Sequence, residues 1–154
     1  MMKREMGTES DAVNAPDPVS NGGNMFQRTT RQITVSVSPT FLPDQSAPDN
    51  NHFFWAYTVL IENGGADTVQ LRARYWRIID GNGRTIEVKG AGVVGQQPIL
   101  RPGETFEYKS GTPLETPSGM MLGAYQMQTA EGVAFQVDIP VFPLDSPHEA
   151  RQMH

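Results

Sequence analysis

Cysteine is absent from this chain of 154 residues. Its absence excludes disulfide bonds, thiolate metal sites and cysteine nucleophiles together, and it leaves the redox compartment open. Long apolar runs are absent too, since the longest nearly apolar stretch covers only residues 53–61, far short of a membrane span. The first residues carry positive charge, but no apolar segment follows as it does in a signal peptide. We therefore expect a cytoplasmic protein with no membrane partner.

Positive charge is in deficit, with 12 Lys and Arg against 17 Asp and Glu and a formal net charge of -5. Nucleic-acid binding relies on a basic field over the domain, so this balance argues against a nucleic-acid partner. The three histidines are scattered and show no metal-ligand spacing, and no nucleophile elbow occurs. The sequence therefore predicts no catalytic residues, no metal site and no cofactor, which is to say a protein that is not an enzyme.

Helical periodicity is missing as well, whereas glycine and proline are abundant, with 15 and 12 residues. Apolar residues instead alternate with polar ones in short runs separated by turns, from Ile33 to Val141. Seven such runs are typical of an all-β protein. We predict a two-sheet antiparallel sandwich of about seven strands, of the immunoglobulin or fibronectin type III class. A closed barrel of similar strand count is the alternative.

The alternation also predicts which side chains face the core. One run is less regular, because Val69 and Leu71 share one parity while Trp76 and Ile78 share the other. A β-bulge between Arg72 and Tyr75 would reconcile the two halves, and burial of both faces is the competing explanation. On three other strands the alternation predicts the inward residues. The first strand contributes Phe53, Trp55, Tyr57, Val59 and Ile61, and the last contributes Val133, Phe135, Val137, Ile139 and Val141. On the strand between them Ile86 and Val88 point inward, and Glu87 and Lys89 point outward.

The composition divides the chain into three parts. Residues 1–28 are rich in Asn, Asp, Gly, Pro, Ser and Thr and have few apolar side chains, so burial cannot offset the entropy of ordering them. We predict a disordered N-terminal tail over 1–28, one sandwich domain over 29–145 and a flexible C-terminal tail over 146–154.

One glycine-rich loop matches the G-x-G-x-x-G pattern of dinucleotide-binding proteins, through Gly90, Gly92 and Gly95. That motif works at the start of a helix, whereas here Pro98 and Pro102 follow without a helical repeat, so the dinucleotide interpretation fails. Glycines that allow positive φ in a tight loop are the simpler explanation. Successive amides could also form an anion nest. The candidate anion- or partner-binding loop then comprises Gly90, Gly92, Gly95, Arg84, Lys89 and Arg101.

The same region resembles the ApaG family. The resemblance is carried by the run from Gly90 to Pro98, by Leu100-Arg101-Pro102-Gly103-Glu104, and by Phe106-Glu107-Tyr108, Ser110-Gly111, Thr116-Pro117 and Gly119. It extends over roughly residues 30 to 145, a whole domain. Two positions depart from the family pattern, Ala91 and Gln96, where members often carry an acidic residue. The departures weaken any role in which carboxylates of this loop bind a cation.

The resemblance implies a fibronectin-like sandwich and a bacterial protein linked to cobalt tolerance and magnesium efflux, without catalytic residues that could be carried over. Related eukaryotic domains look like protein-binding modules. We therefore predict a non-enzymatic binding module for an unidentified protein partner. The alternative is a nucleotide- or pyrophosphate-binding protein that uses loop 90–95, with weak binding. A cation-homeostasis role is supported by the family association alone. The sequence is compatible with a homo-oligomer but does not specify one.

Overall fold

The computed structural model describes residues 24–149 and the backbone of residues 3–8. Its regular structure is almost entirely β, and the described residues contain no α-helix, only two 3₁₀ turns at Pro43–Gln45 and Pro48–Asn50. The strands are β1 (Lys3–Thr8), β2 (Phe26–Thr30), β3 (Ile33–Phe41), β4 (Phe53–Asn63), β5 (Val69–Asp80), β6 (Thr85–Ala91), β7 (Ile99–Leu100), β8 (Thr105–Leu114), β9 (Gly119–Thr129) and β10 (Ala134–Leu144).

The strands form two sheets. The first has the order β1-β8-β4-β3-β2, and the second has the order β10-β9-β5-β6, with β7 paired to the start of β5. All pairs are antiparallel except β1 with β8. The predicted two-sheet sandwich is confirmed. The described strands outnumber the predicted ones because β1, β2 and β7 are short and lack an apolar alternation of their own.

The core lies between the sheets and follows the predicted alternation in its centre. Trp55, Val59 and Ile61 of β4 are almost completely buried. Trp76 of β5 packs edge-on against Tyr57, with ring centroids 5.4 Å apart, so the facing sheets meet through aromatic rings. Such a core carries most of the apolar burial that stabilises the sandwich.

Four predicted core side chains are exposed instead. Ile86 and Val88 of β6 are 49% and 36% exposed, because β6 is the edge strand of its sheet. Val133 precedes β10 and is exposed. Val141 is exposed because a register shift between Ile139 and Phe142 turns Phe142 into the core in its place. Alternation therefore failed to predict burial where a strand lies at the edge of its sheet or contains a bulge.

The irregular run on β5 does contain the predicted bulge. The pairing of β5 with β9 shifts register between Leu71 and Ala73, at Arg72. This shift places both Leu71 and Trp76 in the core despite their opposite parity. The bulge lies at the edge of the predicted interval.

Strands and contacts extend into both predicted tails among the described residues. β1 and the beginning of β2 fall within residues 1–28. At the other end, the Trp55 indole donates a hydrogen bond to the carbonyl of Asp145 (2.8 Å), and Ser146 donates one to Pro117 (2.6 Å). Local composition does not indicate main-chain pairing or contacts with residues distant in sequence. The division into a domain and two tails stays a prediction.

Candidate functional site

The glycine loop forms a compact turn between β6 and β7. Val93 and Gln96 exchange two main-chain hydrogen bonds of 2.8 Å. The two residues between them, Val94 and Gly95, have φ of 44° and 76°, as in the tight hairpin turns that favour glycine. Gly92 also has positive φ, and a Cβ at this position would lie 2.2 Å from the Gln96 carbonyl oxygen. β7 follows the loop where a dinucleotide-binding motif would need a helix.

The inner amides of this loop are used within the protein. The Gly92 amide donates to the Arg72 carbonyl (2.9 Å), and the Val93 amide donates to Gln96. Gly92 and Val93 are both buried. An anion nest needs convergent amides that are open to solvent, so this geometry favours a structural role for the glycines.

Arg74 holds the loop against β5 and was not among the predicted site residues. Its guanidinium donates to the carbonyls of Ala91 (3.2 Å) and Gly92 (2.9 Å). It also lies beside Gly90, where a Cβ would come within 2.9 Å of Nη1. The sequence shows Arg74 only as part of a basic strand. The register of β5 against β6 pairs Arg74 with Gly90, and this register cannot be read from the sequence.

The three predicted cations are spread over the molecule. Arg84 pairs with Asp80 (3.7 Å) and Glu115 (3.6 Å) at the far end of β6, about 26 Å from Gly92 at about 3.3 Å per residue of extended strand. Arg101 lies beyond β7 in a turn where its amide donates to Glu104. Lys89 lies over the Tyr75 ring, 5.8 Å from its centroid. Arg84 is therefore not part of one site with the glycines, and anion binding by the loop stays a prediction.

We expect Gly92→Ala to lower the free energy of unfolding by at least about 1 kcal/mol, because alanine is strained at positive φ and its Cβ meets Gln96. Gly95→Ala, with positive φ but open space around its Cβ, should cost about 1 kcal/mol. Urea denaturation measures both. Calorimetric titration of the wild type with pyrophosphate, ATP and a diadenosine polyphosphate should show no binding. Micromolar binding that is lost in folded Gly92→Ala would instead establish the nucleotide alternative.

The outward face of the second sheet is unexpectedly apolar. Ile79 of β5 pairs with Met120 of β9, and Met120 pairs with Pro143 of β10. Leu122 lies two residues further along the same face of β9, and Met120 and Val141 are 43% and 49% exposed. We call these five residues (Ile79, Met120, Leu122, Val141 and Pro143) the outer apolar patch. A solvent-facing sheet surface normally alternates to polar residues, as the first sheet does at Thr34, Ser38 and Thr58.

A polar cluster lies on the same outward face towards β6. The Tyr75 hydroxyl donates a hydrogen bond of 2.6 Å to the Glu87 carboxylate. This bond raises the pKa of Tyr75 above its ordinary value. Arg77 pairs with Glu87 across the strands and is exposed. The outer apolar patch is therefore flanked by charge of both signs.

The β2–β3 turn is strained at the opposite end of the sandwich. Arg31 and Gln32 have φ of 49° and 68° although neither is glycine or asparagine. The Arg31 guanidinium lies 4.6 Å from the Phe135 ring centroid, a cation–π contact that helps to hold the turn. The turn borders an open cavity of about 240 Å³ that also contacts Asn63 and Asp67. No glycine marks this turn, so the sequence did not reveal it.

Within residues 24–149, no group of three His, Asp or Glu side chains is arranged to hold a metal ion. The part of the chain that the structure describes has no helix long and apolar enough to cross a membrane.

The two packed sheets define a β-sandwich of the immunoglobulin and fibronectin type III class. The ApaG domain model matches residues 43–129. Protein ApaG of Parvibaculum lavamentivorans is 60% identical over 130 residues, covering 84% of this chain and 100% of the relative. Protein ApaG of Rhodospirillum centenum is 60% identical over 124 residues, 80% of this chain and 95% of the relative. This chain belongs to the ApaG family.

Solved structures agree with this assignment. The crystal structure of a protein named ApaA from Bordetella pertussis matches with a TM-score of 0.73 and 50% identity, covering 75% of this chain and 94% of that one. The name Protein ApaG, which the curated relatives carry, names no reaction.

Proposed function

We propose that this protein is a non-enzymatic binding module that docks a protein partner on the outer apolar patch. The observation that carries the proposal is the run of apolar side chains on the solvent side of the second sheet, where a polar face is the norm. Contiguous exposed apolar surface marks interaction sites more often than it serves stability. A cytoplasmic location and a role in cation homeostasis stay predictions.

The residues around the outer apolar patch suit recognition of a protein. Methionine, tyrosine and arginine are enriched in protein interfaces, and here Met120 lies on the same face as Tyr75 and Arg77. Methionine adapts its shape to a partner because its side chain is unbranched and polarizable. The flanking charges of Arg77 and Glu87 would set the orientation of the partner without supplying most of the affinity.

A matched pair of charge insertions tests this surface. Met120→Lys places a charge in the outer apolar patch. Thr58→Lys places one on the outward face of the first sheet, where the cross-strand neighbours Ser38 and Lys109 are polar. We expect proteins retained on immobilised wild type to be retained on Thr58→Lys and lost from Met120→Lys. A buried interface charge without a partner costs several kcal/mol, so the loss should exceed tenfold in affinity.

The stability of both variants and the nucleotide turnover of the wild type are the controls. Met120→Lys should keep the free energy of unfolding of the wild type to within about 0.5 kcal/mol, since exposed substitutions have small effects on stability. Thr58→Lys, which lies opposite Lys109, should lose up to about 1 kcal/mol. Equal retention of every protein by Met120→Lys and by the wild type would contradict docking on the outer apolar patch. Turnover of a nucleotide by the purified wild type would contradict a non-enzymatic role.

A further inference from the structure

Among the strands whose side chains the structure describes, β6 has the most exposed free edge. β6 is the last strand of its sheet, and six of its seven residues are exposed. Proteins normally protect such an edge, since its unpaired N–H and C=O groups invite pairing with another chain. β6 carries two apolar side chains, Ile86 and Val88, that neither sheet covers.

The hydrogen bonds of β6 establish which main-chain groups face outward. The Asp80 amide donates to the Arg84 carbonyl, and the Gly92 amide donates to the Arg72 carbonyl. Arg84 and Gly92 therefore point their main-chain groups towards β5, and so do the residues between them at even positions, because direction alternates along an antiparallel strand. The N–H and C=O groups of Thr85, Glu87 and Lys89 point towards the free edge, and so does the N–H of Ala91, whose carbonyl accepts a hydrogen bond from Arg74.

From this arrangement we infer that β6 pairs with β6 of a second copy of this chain, antiparallel and around a two-fold axis at Val88. In this register Thr85 lies opposite Ala91 of the second copy, and Glu87 lies opposite Lys89. The main-chain groups of Glu87 and Lys89 form the central hydrogen-bonded pairs of an antiparallel ladder. At each end of the ladder the Thr85 amide shares the Ala91 carbonyl of the second copy with Arg74. The second sheets of the two copies become one continuous sheet.

Charge selects this register over its neighbours. Glu87 and Lys89 share one face, and the inferred register places opposite charges across the seam twice, once on each side of the axis. Moving the pairing by one hydrogen-bonded step in either direction places Glu87 opposite Glu87 or Lys89 opposite Lys89. Like charges directly opposite each other destabilise a sheet, whereas opposite charges stabilise it.

The apolar face of β6 supports the same pairing. Val88 meets Val88 of the second copy on the axis, and Ile86 lies opposite Gly90, where its side chain would pack against the Arg74 guanidinium that lies beside this glycine. Pairing therefore covers apolar surface that is exposed in the single chain. A seven-residue strand makes a small interface, so the association is weak and depends on concentration.

Sedimentation equilibrium tests the inference directly. The wild type should pass from 17.0 kDa towards twice that mass over roughly 10 µM to 1 mM protein, the range of a small interface. Glu87→Lys makes both charges of β6 positive, and Lys89→Glu makes both negative. Each variant alone should associate roughly tenfold to hundredfold more weakly than the wild type, because its attractive pairs become repulsive.

Rescue by opposite charge distinguishes this interface from any other. An equimolar mixture of Glu87→Lys and Lys89→Glu should associate again as a heterodimer, because every pair across the seam is then of opposite sign. The double variant E87K/K89E should self-associate like the wild type. A wild type that stays at 17.0 kDa throughout would overturn the inference. So would a dimer that the single substitutions do not weaken, or one that neither the mixture nor the double variant restores.

Discussion

Trp55→Ala should lower the free energy of unfolding by about 3–5 kcal/mol, as removal of a large buried aromatic side chain does. Trp55 is 1% exposed in the middle of β4 and packs edge-on against Phe41, with ring centroids 5.3 Å apart. Its indole also donates the hydrogen bond that holds the Asp145 carbonyl. The substitution therefore leaves a cavity and removes a tie to the C-terminal segment. The shift of the urea midpoint measures the loss.

Trp55→Phe separates the two contributions. Phenylalanine keeps an aromatic ring in the core but removes the indole N–H, so it should cost markedly less than alanine. His148, which packs 5.8 Å from Phe41 and 5.7 Å from Phe53 by ring centroids, should become more exposed when the Asp145 contact is lost. An unchanged urea midpoint for Trp55→Ala would mean that the tryptophan does not support the core.

Gly123→Ala should cost about 3 kcal/mol, at the upper end of the usual effect of overpacking. Gly123 lies in β9, between β5 and β10, opposite Trp76. A Cβ there would lie 2.1 Å from the Tyr75 carbonyl oxygen and 3.2 Å from the Trp76 Cα. Both neighbours are main chain, so a side-chain rotation cannot relieve the contact and the strands must separate. Urea denaturation of the two forms gives the difference in stability.

Gly95→Ala is the matched control for this substitution, since it makes the same chemical change at a position where nothing lies within 4 Å of the new Cβ. Its cost of about 1 kcal/mol comes from backbone conformation alone. Gly123 is not at positive φ, so its cost is steric, and a larger loss than that of Gly95→Ala shows that the close approach outweighs backbone strain. If both substitutions cost the same, the close approach of β9 and β5 at Tyr75 is absent in solution.

Much of the fold was predictable because apolar and polar residues alternate with a period of two along a half-buried strand. Phe53, Trp55, Tyr57, Val59 and Ile61 of β4 were predicted to face the core, and all five are buried. The bulge on β5 was predictable for the same reason, since a change of parity between Leu71 and Trp76 needs an extra residue. Family membership followed from the order of turns and aromatics between Gly90 and Gly119.

The candidate site was much less predictable, because the sequence places charges near one another along the chain and not in space. Arg84 and Lys89 are close to the glycines in sequence, yet Arg84 lies at the other end of β6 and binds Asp80 and Glu115. Arg74, some 18 residues before Gly92, is the residue whose guanidinium contacts the loop. The pairing of β5 with β6 brought it there.

What the sequence by itself determined is the seven longer strands, most of their inward faces and the turns that join them, since each of these depends on interactions within a few residues. Only the tertiary structure decided which faces are covered. Ile86 and Val88 have the alternation of a core strand, but among the described residues β6 is the last strand of its sheet. Met120 and Leu122 alternate as outward residues and became an apolar surface because β5 and β10 brought Ile79 and Pro143 beside them. Alternation records that residues share a face, whereas exposure depends on neighbours that are distant in the chain.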